Sequence, residues 1–99
     1  MIRSYKNEGS QDIAEGRNTK SARQTLPTDL WKIAVRRLAF IDSVQSVIDL
    51  RTSPGGYGWE ILKKDRAGQH SMRINVQYRI CFRFEEGDCD EVEVVDYHS

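Results

Sequence analysis

The stretch Tyr78-Arg79-Ile80-Cys81-Phe82-Arg83-Phe84-Glu85 decides the fold. Ile80, Phe82 and Phe84 alternate with Arg79, Cys81 and Arg83, the period-two pattern of a strand with one buried face. Glu86-Gly87-Asp88 then supplies a turn, and Glu91 to Tyr97 reads as a final strand. On the other side, His70 to Val76 alternates in the same way, with a turn near Asn75-Val76-Gln77, and Trp59 to Lys63 reads as a further strand. Asp65-Arg66-Ala67-Gly68 makes the tight connection between them. Four strands joined by short turns describe a mostly antiparallel sheet.

Upstream of the loop Arg51-Thr52-Ser53-Pro54-Gly55-Gly56-Tyr57-Gly58 the period changes to that of a helix. Leu30, Ile33, Ala34, Leu38 and Ile41 recur every three or four residues and form one apolar stripe, with Thr28 or Asp29 as the expected cap after Pro27. Val44 to Leu50 predicts a shorter helical continuation. Asn7 to Gly16 predicts a brief helix capped by Asn7 or Ser10 and stopped by Gly16. Arg17 to Gln24 is polar and basic, with little to bury, and Ile2 to Lys6 suggests a short first strand. The order is one strand, two or three helices, then a sheet, which is an α+β domain.

The chain has 99 residues, the size of one compact domain spanning 1–99. With glycine counted and tyrosine left out, about 41% of it is apolar, lean against a usual ~45–50%. No apolar run reaches the ~18–20 residues that a membrane span needs, and Met1 to Lys6 lacks the apolar stretch of a secretory signal. A soluble cytoplasmic protein is the expectation. Cys81 and Cys89 are too few for a disulfide scaffold or a four-cysteine zinc site, and with His70 and His98 they lack metal-finger spacing. Cys81 is expected within the sheet. Cys89 is expected in an acidic turn, where a thiolate is disfavoured.

Fifteen basic and fifteen acidic residues cancel overall but not locally. Arg51 to Arg83 holds seven basic residues against Glu60 and Asp65, whereas Phe84 to Ser99 holds seven acidic residues and no Lys or Arg. If the two central strands pair, Arg73, Arg79 and Arg83 approach one another across the hairpin. Like charges facing across a ladder repel, so such a cluster favours a bound anion unless the downstream carboxylates pair with it. The terminal Asp96-Tyr97-His98 offers a carboxylate, a stacking ring and a proton-transfer group beside that basic face.

The blocks Asp65 to Asn75, Tyr78 to Phe82 and Val95-Asp96-Tyr97-His98, together with Met1 to Tyr5 and the passage from Asp49-Leu50-Arg51 to Pro54-Gly55, resemble the HigB toxin family. This is the "plasmid maintenance killer protein" branch of the RelE/ParE superfamily, and the resemblance spans nearly the whole chain. It implies a compact RelE-like fold and the toxin half of a type II toxin–antitoxin pair. Such a toxin cuts mRNA on the ribosome and so inhibits translation, without metal or organic cofactor. A HigA-like helix-turn-helix antitoxin neutralises it, and operator DNA is reached only through that antitoxin.

By the same resemblance Lys63, Arg79, Asp96, Tyr97 and His98 are the expected catalytic positions. Arg66, Arg73, Arg83 and Lys64 are the expected RNA or phosphate contacts, of which Arg66 and Arg73 match family arginines. One departure is Glu60, in a strand where some members carry a histidine. It leaves open slow cleavage, or an ion pair with a nearby arginine. Two other readings stay open: a ParE-like poison of DNA gyrase, and an antitoxin-binding module whose catalysis has decayed.

Overall fold

A computed structural model describes residues 1–97. Four helices precede a four-stranded sheet: α1 (Glu8–Ala14), α2 (Lys20–Thr25), α3 (Trp31–Ser43), α4 (Val47–Arg51), then β1 (Glu60–Ile61), β2 (Gln69–Arg73), β3 (Tyr78–Glu85) and β4 (Asp88–Asp96). The strands lie in chain order, each antiparallel to the next. This is the α+β arrangement that the change of periodicity implies. No helix among the described residues is long and apolar enough to cross a membrane.

One face of the sheet carries the core. Met72, Ile80, Phe82, Val92 and Val94 are buried against Ala34, Leu38 and Ile41, which line one side of α3. The stripe read from the sequence is thus the packed side of that helix, although a 3-10 turn at Thr28–Leu30 leads into it and no side chain caps it. Asn7 does cap α1, its Oδ1 accepting from the Ser10 amide at 2.9 Å.

Three expectations change. The segment Arg17 to Gln24 is not idle: it holds most of α2, with Ala22 fully buried. The helix pairs with α1 through small residues. A Cβ on Gly9 would stand 1.9 Å from Thr25 Oγ1, so only glycine permits that approach. Ile2 to Lys6 is not a continuous strand, and it bridges β4 in parallel only at Ile2–Cys89 and Tyr5–Val92. The cause lies in β4, where Glu91 takes φ +53° and a bulge shifts the register between Cys81 and Arg83. The Glu91 amide there bonds Ser4 Oγ at 2.9 Å instead of backbone. Finally, Cys89 is not in the turn but on β4 in the core, its Sγ 3.6 Å from the Ile41 carbonyl. Burial pushes its thiol up to about 11.

Candidate functional site

The face of the sheet opposite the core is the basic one. Register places Arg73 on β2 directly opposite Arg79 on β3. Strand alternation sends both side chains to the same side as Ser71 and away from Met72 and Ile80. Two guanidinium groups set opposite each other repel unless something lies between or beside them.

Arg79 resolves this by being almost wholly enclosed. Its Nε donates to Ser71 Oγ at 2.9 Å, its Nη2 donates to the Gly58 carbonyl, and Nη2 lies 3.2 Å from Glu60 Oε1. Its side chain is 10% exposed, whereas that of Glu60 is 54% exposed and reaches in from the edge strand. Arg73 has no carboxylate within ion-pair distance among the described residues. Of the two guanidinium groups, only that of Arg79 meets a carboxylate among the described residues, and the charge of Arg73 is left uncompensated by any ion pair there.

Arg73, Arg79 and Glu60 line a cleft of about 390 Å³ together with Val76 and Tyr97. That size suits a small ligand or one unit of a polymer. The Arg79 guanidinium carbon is 5.7 Å from the centre of the Tyr97 ring. Val76 stands on the β2–β3 turn, 97% exposed. Asn75 Oδ1 holds that turn in shape by accepting from the Gln77 and Tyr78 amides, each at 2.8 Å.

The other expected residues fall elsewhere. Arg83 does not join the cluster: it is four residues along β3, roughly 13 Å at strand rise, and it pairs with Glu91 at 2.7 Å. Arg66 lies on the same face but is engaged by Glu93 at 3.4 Å and Gln69 at 3.0 Å. In these pairs the downstream carboxylates take up some of the arginines, as the charge distribution allows. Lys63 and Lys64 are exposed and do not line the cleft. β1 ends at Ile61, and the chain then bends into a 3-10 turn at Lys64–Arg66. Asp96 alternates with Tyr97, so it points to the other side of the sheet, where its Oδ2 accepts from Gln77 Nε2 at 3.0 Å. His98 lies outside the described residues.

Glu60 enters as a member of the cleft rather than as a departure beside it. Ser71 and the Gly58 carbonyl were not expected there. The only hint of Ser71 in the sequence is its parity with Arg73, and a backbone carbonyl leaves no residue-type signal at all. His70 is elsewhere, on the core side of β2, stacked between Trp59 and Phe82. Trp59 Nε1 donates to its Nδ1 at 3.2 Å, and burial lowers its pKa. Both effects favour the neutral ring. Burial also raises the Cys81 thiol, a poor setting for a nucleophile. Among the described residues no three His, Cys, Asp or Glu side chains gather as a metal site.

Comparison with known proteins gives this geometry a context. A family model described as the RelE-like toxin of the type II toxin–antitoxin system HigB matches residues 5–98. An uncharacterised protein of Haemophilus influenzae is 30% identical over 74 residues, 75% of this chain and 71% of that one. Toxin HigB-1 of Vibrio cholerae is 34% identical over 62 residues, 63% of this chain and 64% of that one. Two structures of the YoeB–YefM toxin–antitoxin complex from Staphylococcus aureus contain a chain of the same fold. The TM-scores are 0.58 and 0.56 at 18% and 17% identity, covering 100% of this chain and 99% of each neighbour.

Proposed function

The chain belongs to the RelE-like HigB toxin family of type II toxin–antitoxin systems, and from that premise we propose that it cuts mRNA on the ribosome. The observation carrying the proposal is the pairing of Arg73 and Arg79 in one cleft with Glu60 and Tyr97. An exposed, unshared positive charge beside a carboxylate and an aromatic ring suits a phosphodiester with its flanking base.

In the proposed step the 2′-hydroxyl of one nucleotide attacks its own 3′-phosphate. The O2′–P bond forms as the P–O5′ bond breaks, leaving a 2′,3′-cyclic phosphate and a 5′-hydroxyl. Glu60 takes the 2′-hydroxyl proton, and Arg79 gives up its contact with that carboxylate to hold a non-bridging oxygen. Arg73 holds the other, so that charge building on the pentacoordinate phosphorus meets fixed donors. Tyr97 stacks on the base. His98 supplies the proton that O5′ needs, and Asp96 assists it. Lys63 adds a cation on the exposed segment past Glu60, and Lys64 a weaker one along the message. Arg66 and Arg83, engaged by Glu93 and Glu91, take no part in the step.

A HigA-like antitoxin is the proposed partner that silences the toxin and links it to operator DNA. The support is the family itself and the two structural neighbours, both solved as toxin–antitoxin complexes.

Expression of the chain followed by primer-extension mapping of message 5′ ends tests the reading. New ends within translated frames are expected, absent from Arg79→Ala and strongly reduced in His98→Ala. Growth arrest with intact messages and broken DNA would replace this reading with a gyrase poison. Full cutting by both variants would overturn the site.

A further inference from the structure

Both cleft arginines are held from outside the cleft. Arg37 on α3 places its guanidinium carbon 3.8 Å above the centre of the Tyr57 ring, and its Nε donates to the Arg73 carbonyl at 3.2 Å. Phe40, three residues on along the same helix side, meets that ring edge-on, with centroids 5.2 Å apart and planes at 87°. Tyr57 is the last residue of the 3-10 turn Gly55–Tyr57, and the next residue, Gly58, gives its carbonyl to Arg79 Nη2.

Gly58 sits at φ +60°, and a Cβ there would lie 3.1 Å from Cβ of Arg73. The loop therefore approaches both arginines through one glycine, and the Tyr57 ring directly precedes that glycine in the chain. Arg37 reaches both walls of the cleft, one through Tyr57 and the other through the Arg73 carbonyl, yet lines neither. A ring serving only as loop packing has no need of a cation that also bonds the backbone of β2.

We infer that Arg37 and Tyr57 are positioning residues for the proposed cleavage, acting through Gly58 and the Arg73 backbone to hold both guanidinium groups at one phosphate. The inference rests on the cleavage reading. Misplacement of a charge-stabilising group by about 1 Å can cost ~10²-fold in rate without weakening binding in proportion.

The test uses the purified protein on message-programmed ribosomes, with Tyr57→Ala, Tyr57→Phe and the milder Arg37→Gln. Tyr57→Ala is expected to slow single-turnover cutting about 10²-fold at saturating ribosomes, with the half-saturating concentration changed less than about twofold. Arg37→Gln should show a smaller loss of the same kind, and Tyr57→Phe, which keeps the ring, should restore the rate. Exchange of the Arg79 Nε–H proton by NMR gives a readout independent of cutting. It should quicken at least about tenfold in Tyr57→Ala, as expected for a group released from its contacts, with amide protection of β3 and β4 unchanged. Wild-type rates in Tyr57→Ala, or unchanged Arg79 exchange in both Tyr57→Ala and Arg37→Gln, would overturn the inference. A wild-type protein that cuts no message would remove the cleavage reading, and the exchange result would still decide the positioning.

Discussion

Arg79 and Arg83 occupy the same strand, four residues apart, and their surroundings differ completely. Arg79 is 10% exposed at the side chain and meets a hydroxyl, a backbone carbonyl and a carboxylate. Arg83 is 48% exposed and pairs with a single carboxylate, Glu91, itself 53% exposed. The first guanidinium is fixed before any ligand arrives, because three acceptors and an overlying loop leave it little freedom. The second pays side-chain entropy for one screened ion pair, the kind that contributes ~0–1 kcal/mol. What distinguishes a site from a charged surface here is the number of independent elements converging on one group. Polar partners reach Arg79 from β1, β2 and the Pro54–Gly58 loop, whereas the one ion-pair partner of Arg83 comes from β4, with Gly68 of the turn before β2 merely lying against its guanidinium.

The contrast can be broken by substitution. Arg79→Ala is expected to have the largest effect, a loss of cutting of about 10²–10³-fold by analogy with removal of one transition-state donor. It should also cost about 1–3 kcal/mol of stability, because Ser71 and the Gly58 carbonyl lose their partner. Cutting assays and urea unfolding check the two parts. Gly58→Ala comes next. The left-handed backbone costs an alanine about 1–2 kcal/mol, and the new methyl meets Arg73. Urea midpoints should fall accordingly, and cutting with them. If Gly58→Ala cuts normally, the loop does not set the arginines.

A smaller effect tests the far side of β2, where no ligand is involved. Burial depresses the pKa of His70 below the ordinary 6.5. The unfolded chain therefore binds the proton more readily. The stability contributed by neutral His70 is fully present above about pH 6.5 and is lost as pH falls from there towards the lowered folded value. Comparing wild type and His70→Gln from pH 7.5 to 5 should show a slope in the first that flattens in the second. The smallest change belongs to Arg83→Ala, within about 0.5 kcal/mol of wild type and within about twofold in cutting. A tenfold loss there would show that the message runs along the whole basic face.

Legibility from sequence divides along the same line. The alternation in Tyr78 to Glu85 and the stripe on α3 were readable because each follows from where neighbouring Cβ atoms point, a local property. The pairing of Arg73 with Arg79 followed once the turn at Asn75 to Gln77 was recognised. The grouping of Arg83 with them failed. One strand step moves a side chain by about 3.3 Å, so four steps separate two arginines that share a face. α2 was missed because Gly9 and Ala22 signal close packing by being small, and a polar segment with one small buried residue shows no stripe. The acidic residues around Cys89 suggest a turn and mask a core position on a bulged strand.

The sequence by itself determined the helix-then-sheet order, the two faces of each long strand and the concentration of arginine ahead of an acidic end. Tertiary structure alone decided which of those arginines are held in readiness. That outcome depends on contacts between residues far apart in the chain, such as Glu60 and the Gly58 carbonyl with Arg79, or Arg37 with Tyr57 and Arg73. Such contacts exist only after the loop has closed over the strands, and no spacing of residue types along the chain encodes the distance across that closure.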